Sequence, residues 1–135
     1  MKVILDCNIW ISFLIGHQTE VMRHILTDLR FDVYVCNELM NEIYEVSSRP
    51  KIRSRITDAE MDDFCRIIYA FCKVADIKHV TDSNIRDPKD LYLLSLADSI
   101  DADYLVSGDT DLLDLEQHHQ TKMIKLSEFK SLIRK

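Results

Sequence analysis

Residues 2–8 read Lys-Val-Ile-Leu-Asp-Cys-Asn, a short apolar run that ends at an aspartate, Asp6. A continuous run of branched apolar residues is typical of a strand buried on both faces of a parallel sheet. A similar order recurs near the other end of the chain, where residues 104–106 (Tyr-Leu-Val) precede residues 107–111 (Ser-Gly-Asp-Thr-Asp). Ligands bind beyond the carboxyl ends of the strands in an open parallel sheet. The two stretches therefore predict a site rich in carboxylates at that edge.

Strand-like and helix-like segments alternate along the chain. The clearest predicted strands are Lys2 to Leu5, Val33 to Val35, Tyr104 to Val106 and Lys122 to Ile124. Apolar residues at helical spacing predict helices from Asn37 to about Ser47, from after Thr57 through Phe71 and Cys72, and from Pro88 through Ile100. This alternation indicates an α/β architecture.

The length and composition indicate one compact domain. The chain has 135 residues, of which 47% are hydrophobic, so we expect a single domain spanning residues 1–135 with a genuine core. No apolar run approaches the roughly 20 residues that a membrane-spanning helix needs, and the first residues do not have the pattern of a signal peptide. We therefore expect a soluble, cytoplasmic protein without a membrane partner.

The charge argues against one class of nucleic-acid-binding protein, and the cysteine spacing argues against a cysteine-based zinc or redox site. A net charge of -6 argues against a protein that holds nucleic acid mainly by neutralising phosphates. It does not exclude a nuclease, because cations bound at an acidic site reverse the local charge. The four cysteines show neither C-x-x-C spacing nor a zinc-binding pattern, so we expect reduced thiols in the core, with Cys65 and Cys72 on the apolar face of one helix.

Six acids lie where they could contribute to the predicted site. They are Asp6, Glu42, Asp87, Asp90, Asp109 and Asp111. Asp90 shares one face of its predicted helix with Leu94 and Ala97, so its carboxylate should point toward the sheet. Carboxylates held close together need a cation to offset their repulsion, and Mg²⁺ or Mn²⁺ prefers such oxygen ligands.

Most of these acids also have an ordinary structural explanation. Asp87 could cap the helix that follows it, with Asp90 as its third-position partner, and Asp109 could cap the next helix. Glu42 could be a solvated residue of a surface helix. For Asp6, helix capping is a less convincing explanation than its position directly after a buried strand. The combination of acids on three separate segments therefore favours metal binding.

Four motifs resemble those of PIN-domain ribonucleases, especially the toxin-like (VapC-like) branch of bacterial toxin–antitoxin systems. They are Leu5-Asp6-Cys7-Asn8, Glu38-Leu39-Met40-Asn41-Glu42-Ile43, Asp87-Pro88-Lys89-Asp90 followed by Ala97, and Ser107-Gly108-Asp109-Thr110-Asp111-Leu112-Leu113. The resemblance implies a three-layer α/β/α fold around a central, mainly parallel sheet of four or five strands. It also implies an endoribonuclease that uses Mg²⁺ or Mn²⁺ and water, and that leaves a 5′-phosphate and a 3′-hydroxyl.

The resemblance further implies roles for single residues and partners. Asp6, Glu42, Asp90 and Asp109 would be the catalytic metal-binding acids, Asp111 a further metal ligand, Asp87 an auxiliary acid, and Asn8 and Ser107 substrate or orienting contacts. Family members commonly have Thr or Ser after the first aspartate, where this chain has Cys7, and a thiol is a weaker hydrogen-bond partner. The implied partners are RNA, a small antitoxin protein and a second copy of the chain.

Basic residues follow the Glu42 helix and precede Asp87. They are Arg49, Lys51, Arg53, Arg55 and Arg86. These side chains could contact RNA phosphates, and the run at 49–55 could equally be a solvated loop. None of the five histidines lies in a motif, which favours metal chemistry over histidine acid–base catalysis.

Two other classes of protein stay open at this point. A catalytically silent PIN-like module that binds RNA or protein would have the same fold, and loss of a core acid would favour it, but all four core acids are present. A receiver-like phosphotransfer domain also collects acids at strand ends. Its phospho-acceptor aspartate has no counterpart here, because the strand that ends at Val35 is followed by Cys36-Asn37. We therefore favour the nuclease.

Overall fold

Strands and helices alternate in the computed structural model, which describes residues 1–134. The strands are β1 (Lys2–Leu5), β2 (Asp32–Val35), β3 (Lys73–Val74), β4 (Tyr104–Val106), β5 (Gln117–His118) and β6 (Thr121–Ile124). The helices are α1 (Cys7–Ile15), α2 (Thr19–Leu26), α3 (Asn37–Ser47), α4 (Pro50–Arg53), α5 (Asp58–Phe71), α6 (Pro88–Ile100), α7 (Thr110–Leu113) and α8 (Leu126–Arg134).

One sheet contains all of these strands, in the order β3-β2-β1-β4-β6-β5. The neighbouring strands are parallel except for β5 and β6, which form an antiparallel hairpin. Val3, Ile4 and Leu5 are fully buried although successive residues of a strand point to opposite faces, so both faces of the sheet are covered. The predicted three-layer α/β/α class is confirmed. Among residues 1–134 the sheet has six strands rather than the predicted four or five, because β3 and β5, of two residues each, extend it at its edges.

The register of the central strands sets the position of the site. Leu5 of β1 pairs with Val106 of β4, and the backbone N–H of Asp6 donates to the carbonyl of Val106 at 2.9 Å. Asp6 and Ser107 therefore leave neighbouring strands at the same level. This places both side chains at the carboxyl edge of the sheet, where the sequence predicted them.

Aromatic residues fill the core beneath α1. Trp10 and Phe13 are fully buried, and the Trp10 ring meets Phe13 and Phe64 edge-on at centroid distances of 6.5 and 6.3 Å. Such edge-to-face pairs add to the stabilisation from apolar burial. Trp10 and Phe13 are thus core residues.

The ends of α5 show where helical spacing predicted correctly and where it did not. Thr57 and Glu60 form a capping box, because the Thr57 hydroxyl accepts from the Glu60 N–H at 3.1 Å and the Glu60 carboxylate accepts from the Thr57 N–H at 3.0 Å. At the other end the prediction is one residue too long, because α5 ends at Phe71, which is 43% exposed. Cys65 and Cys72 are half-buried against the core, and Cys72 lies beyond the last helical residue.

The helices within residues 1–134 include none that could cross a membrane. None of them combines the length and the apolar composition that a bilayer crossing requires.

Candidate metal centre

Asp6 and Ser107 form the innermost part of the acidic site. Asp6 is buried, and its Oδ2 accepts a hydrogen bond of 2.7 Å from the Ser107 hydroxyl. The same hydroxyl accepts from the backbone N–H of Asp109 at 3.0 Å. Ser107 therefore joins the end of β1 to the loop that carries Asp109. Burial raises the pKa of Asp6 above its ordinary value, the Ser107 hydrogen bond opposes this shift, and the charges of Glu42 and Asp109 add to it.

Three more carboxylates lie close together, and two of them, Asp90 and Asp109, interact with Asp6 through their charges. One oxygen from each of Asp90, Asp109 and Asp111 lies within 4.8 Å of the other two. Asp90 is buried on α6, Asp109 is half-buried before α7, and Asp111 is exposed on α7. The predicted apolar face of α6 is confirmed, because Leu94 and Ala97 are fully buried below Asp90.

Asp90 has the most perturbed environment of these acids. Burial raises its pKa to about 7, and the nearby charges of Asp109, Asp87 and Asp6 contribute to the shift. Its Oδ2 is buried and has no hydrogen-bond partner among residues 1–134. A buried, unpaired carboxylate oxygen is costly, so it marks a place for a proton or a cation.

Glu42 reaches the same site from α3. Its Oε1 accepts a hydrogen bond of 2.6 Å from the Tyr92 hydroxyl, and its Oε2 lies 3.7 Å from the ammonium nitrogen of Lys89. The Glu42 side chain is only 13% exposed, and its charge contributes to the raised pKa of Asp6. Glu42 is thus held in place by two residues of α6, which excludes the expectation of a freely solvated glutamate.

Asp87 and Asp109 are also helix caps, as the structural explanation proposed. Asp87 Oδ1 accepts from the Lys89 N–H, and Asp109 Oδ1 accepts from the Asp111 N–H, both at 2.9 Å. Asp90 does not complete a capping box with Asp87, because its carboxylate turns inward. Capping occupies one oxygen of Asp109 and leaves the carboxylate beside Asp90, so the two explanations hold together at this residue.

Cys7 and Asn8 begin α1 next to Asp6. Cys7 is buried, and burial raises the pKa of its thiol to about 12, with Glu42 and Asp6 contributing. The thiol is therefore neutral at physiological pH and does not add to the negative charge. Asn8 is exposed at the same helix start.

The predicted basic residues occupy different environments. Arg86 lies with Asp87 and Asp111 in the lining of a cleft of about 770 Å³ next to the acidic site. Arg49 pairs with Glu45 at 3.5 Å, and its charge acts on the Cys7 thiol.

The basic side chains of residues 49–55 differ in whether other groups engage them. Arg53 pairs with Asp58 and donates to the Ile56 carbonyl at 2.8 Å, so its guanidinium holds the start of α5. Lys51 and Arg55 are exposed.

Comparison with protein families decides what kind of domain carries this site. Residues 2–111 match the profile described as the PIN domain. The chain belongs to the PIN domain family. The match includes every predicted acid, and the resemblance stated from the four motifs is confirmed.

Known structures support the same fold for this PIN domain. It is similar to a chain in the crystal structure of VapBC2 from Rickettsia felis bound to a DNA fragment from their promoter. The TM-score is 0.61 at 15% sequence identity, over 93% of this chain and 98% of that chain. No curated protein sequence matches significantly.

The residues of this PIN domain fit a hard divalent cation. The donors are carboxylate oxygens, which suit Mg²⁺ and Mn²⁺, and Asp90 supplies a buried oxygen that is otherwise unpaired. Sequence reasoning missed Tyr92 and Lys89, which position Glu42. Both lie within three residues of Asp90 on α6, and only their position opposite α3 in the fold indicates a role.

Proposed function

We propose that this PIN domain, spanning residues 1–135, is a Mg²⁺- or Mn²⁺-dependent endoribonuclease and the toxin of a toxin–antitoxin pair. The observation that carries the proposal is the unpaired, buried oxygen of Asp90 beside Asp109 and Asp111. A protein that used these acids only as helix caps would have no reason to bury Asp90. The family match supports a nuclease.

The proposed roles follow from where each side chain lies. Asp6, Glu42, Asp90 and Asp109 hold the cation, Asp111 extends the donor set toward solvent, and Asp87 adds negative charge at the rim. Ser107 fixes the orientation of Asp6 through its hydrogen bond. Asn8, exposed at the start of α1, contacts the substrate.

Hydrolysis requires a water molecule and a negatively charged phosphate next to these acids. A bound Mg²⁺ or Mn²⁺ supplies activation of water and stabilisation of charge on the scissile phosphate. Tyr92 and Lys89 keep Glu42 in a single orientation, which limits the reorganisation that cation binding requires. Asp90 has its raised pKa in the metal-free protein, and a cation bound beside its carboxylate would favour the ionised form.

RNA contacts are proposed for the exposed basic side chains. Arg86 lines the cleft beside Asp111 and would contact a phosphate there. Arg49, Lys51 and Arg55 would contact phosphates further along the RNA. Arg53 is the weakest member of the predicted set, because its guanidinium is engaged by Asp58 and Ile56.

The proposed partners and location follow from the toxin assignment. The similar structure from Rickettsia felis is of VapBC2 with promoter DNA. By analogy, we infer a small antitoxin protein that occupies the acidic cleft, a homodimer of this chain, and a cytoplasmic location. Co-purification of the protein with the product of a neighbouring short gene tests the antitoxin directly.

Cleavage of end-labelled single-stranded RNA tests the proposed activity. Wild-type protein should cut the RNA with Mn²⁺ or Mg²⁺ and not with EDTA, and Asp6→Asn and Asp90→Asn should each lose activity. Asp62→Asn is the matched control, since Asp62 is an exposed aspartate on α5. If folded wild-type protein binds Mn²⁺ but cuts none of a varied set of RNAs, a silent binding module replaces the nuclease. Activity that persists in EDTA would refute the metal mechanism.

A further inference from the structure

A second group of metal-ligating side chains lies at the opposite edge of the sheet from the acidic centre. Asp98 on α6, His118 on β5 and His119 in the turn before β6 each offer one ligand atom, and these atoms lie within 4.8 Å of one another. Because β6 is parallel to β4, the hairpin that precedes β6 lies at the amino ends of the strands. Asp98 is eight residues beyond Asp90, which corresponds to about 12 Å along α6. The two groups are therefore separate.

The three side chains of this group already lie at hydrogen-bond distance, Asp98 with each histidine. Oδ2 of Asp98 lies 3.0 Å from Nε2 of His118, and Oδ1 lies 2.8 Å from Nδ1 of His119. The two imidazole rings have centroids 4.2 Å apart and planes tilted by 32° to each other. Ligand atoms around a tetrahedral Zn²⁺ are about 3.4 Å from each other at ordinary bond lengths. Small side-chain adjustments therefore suffice to admit an ion.

The surroundings of Asp98 resemble those of a supported metal ligand. The side chains of Asp98 and His118 are only 9% and 12% exposed, so neither is a freely solvated surface group. Both oxygens of the Asp98 carboxylate are hydrogen-bonded, one to each imidazole. The carboxylate is thus held in a fixed orientation, as carboxylates at metal sites commonly are.

An open side leaves room for further coordination. His119 is 69% exposed, and a cleft of about 430 Å³ adjoins it. Asp82 and Asp101 also line this cleft, and their negative charge attracts a cation. Water can therefore complete the coordination of an ion held by three protein ligands.

The ligand chemistry differs from that of the acidic centre. Two imidazoles and one carboxylate suit Zn²⁺ and neighbouring transition metals, whereas an all-carboxylate set suits Mg²⁺ or Mn²⁺. We propose that Asp98, His118 and His119 bind one Zn²⁺ ion, which fastens the β5–β6 hairpin to α6. This inference does not depend on the nuclease assignment, because none of the three residues belongs to the acidic centre.

Zn²⁺ titration of the full chain tests this site. The parent protein is Asp90→Asn in excess Mg²⁺, which suppresses Zn²⁺ uptake at the acidic centre. His119→Asn removes a ligand at little risk to folding, because His119 has a φ of 52° and asparagine adopts this left-handed conformation readily. His24→Asn, which replaces an exposed histidine on α2, is the matched control.

The parent and His24→Asn should each bind one equivalent of Zn²⁺, and His119→Asn should bind it at least tenfold more weakly. Co²⁺ should develop strong visible absorption in the parent that is lost in His119→Asn, which reports a tetrahedral site independently of affinity. Zn²⁺ should raise the Tm of the parent and leave that of His119→Asn nearly unchanged. Equal Zn²⁺ affinity in the parent and His119→Asn, or no uptake by the folded parent, would overturn the proposal.

Discussion

Replacing Asp90 by asparagine should stabilise the metal-free protein at alkaline pH although it destroys the proposed metal site. Asp90 is 4% exposed, and its pKa is raised from 3.8 to about 7. Between these two values the folded protein holds a proton that the unfolded chain has released. The unfolding free energy of the wild type therefore falls as pH rises from about 4 to about 7. The unfolding free energy of the asparagine variant lacks this pH dependence.

The size of the effect follows from the shift. Three pKa units correspond to about 4 kcal/mol at full ionisation, and the part that falls between pH 5 and pH 8 is about 2.6 kcal/mol. Relaxation around the ionised carboxylate reduces this value, so we expect the advantage of Asp90→Asn over wild type to grow by about 1–2 kcal/mol from pH 5 to pH 8. Mn²⁺ should reverse the order at pH 8, because only the wild type can bind it tightly.

Urea unfolding in EDTA measures the effect. Wild type, Asp90→Asn and the exposed control Asp62→Asn are compared near pH 5 and pH 8, and then at pH 8 with Mn²⁺. The control should follow the wild type under every condition. A difference between wild type and Asp90→Asn that is the same at both pH values would refute the reasoning, because it would show that ionisation of Asp90 costs the fold nothing.

Three further substitutions test how the site and the fold are supported. Ser107→Ala removes the 2.7 Å hydrogen bond that lowers the pKa of Asp6, so Mn²⁺ affinity measured by calorimetry should fall about tenfold. Ser107→Thr is the control. Unchanged affinity in the alanine variant would contradict the orienting role of Ser107. Tyr92→Phe removes the 2.6 Å bond to Glu42 and should weaken Mn²⁺ binding by about tenfold while the circular dichroism spectrum is unchanged; an equal affinity would show that Lys89 suffices. Thr57→Ala breaks the capping box of α5 and should lower the urea-derived unfolding free energy by about 1 kcal/mol, an expectation that fails if Thr57→Ser and Thr57→Ala are equally stable.

Local patterns predicted the main elements well. The predicted bounds of β1, β4 and α3 agree with the structure, because buried strands and amphipathic helices are encoded in runs of neighbouring residues. The two-residue strands Lys73–Val74 and Gln117–His118 were not predicted. A segment of two residues has no periodicity, and it forms a strand only because a neighbouring strand pairs with it.

Spatial neighbours were harder to predict than elements. Phe71 lies within the helix that apolar spacing predicts, yet it is the last residue of α5 and is 43% exposed. Tyr92 and Lys89 have no motif of their own, and their contact with Glu42 depends on how α6 lies against α3. Asp98 and His118 are 20 residues apart and meet only because the hairpin folds back onto α6.

By itself, the sequence determined the alternation of strands and helices and the placement of acids directly after buried strands. Both are local properties, because apolar runs specify burial and the first polar residue after a run marks its end. The tertiary structure alone decided that these acids meet. Asp6, Asp90 and Asp109 converge because β1 lies beside β4 and α6 turns its first residues toward the strand ends. Strand order is set by the packing of the whole core, which short stretches of sequence do not encode.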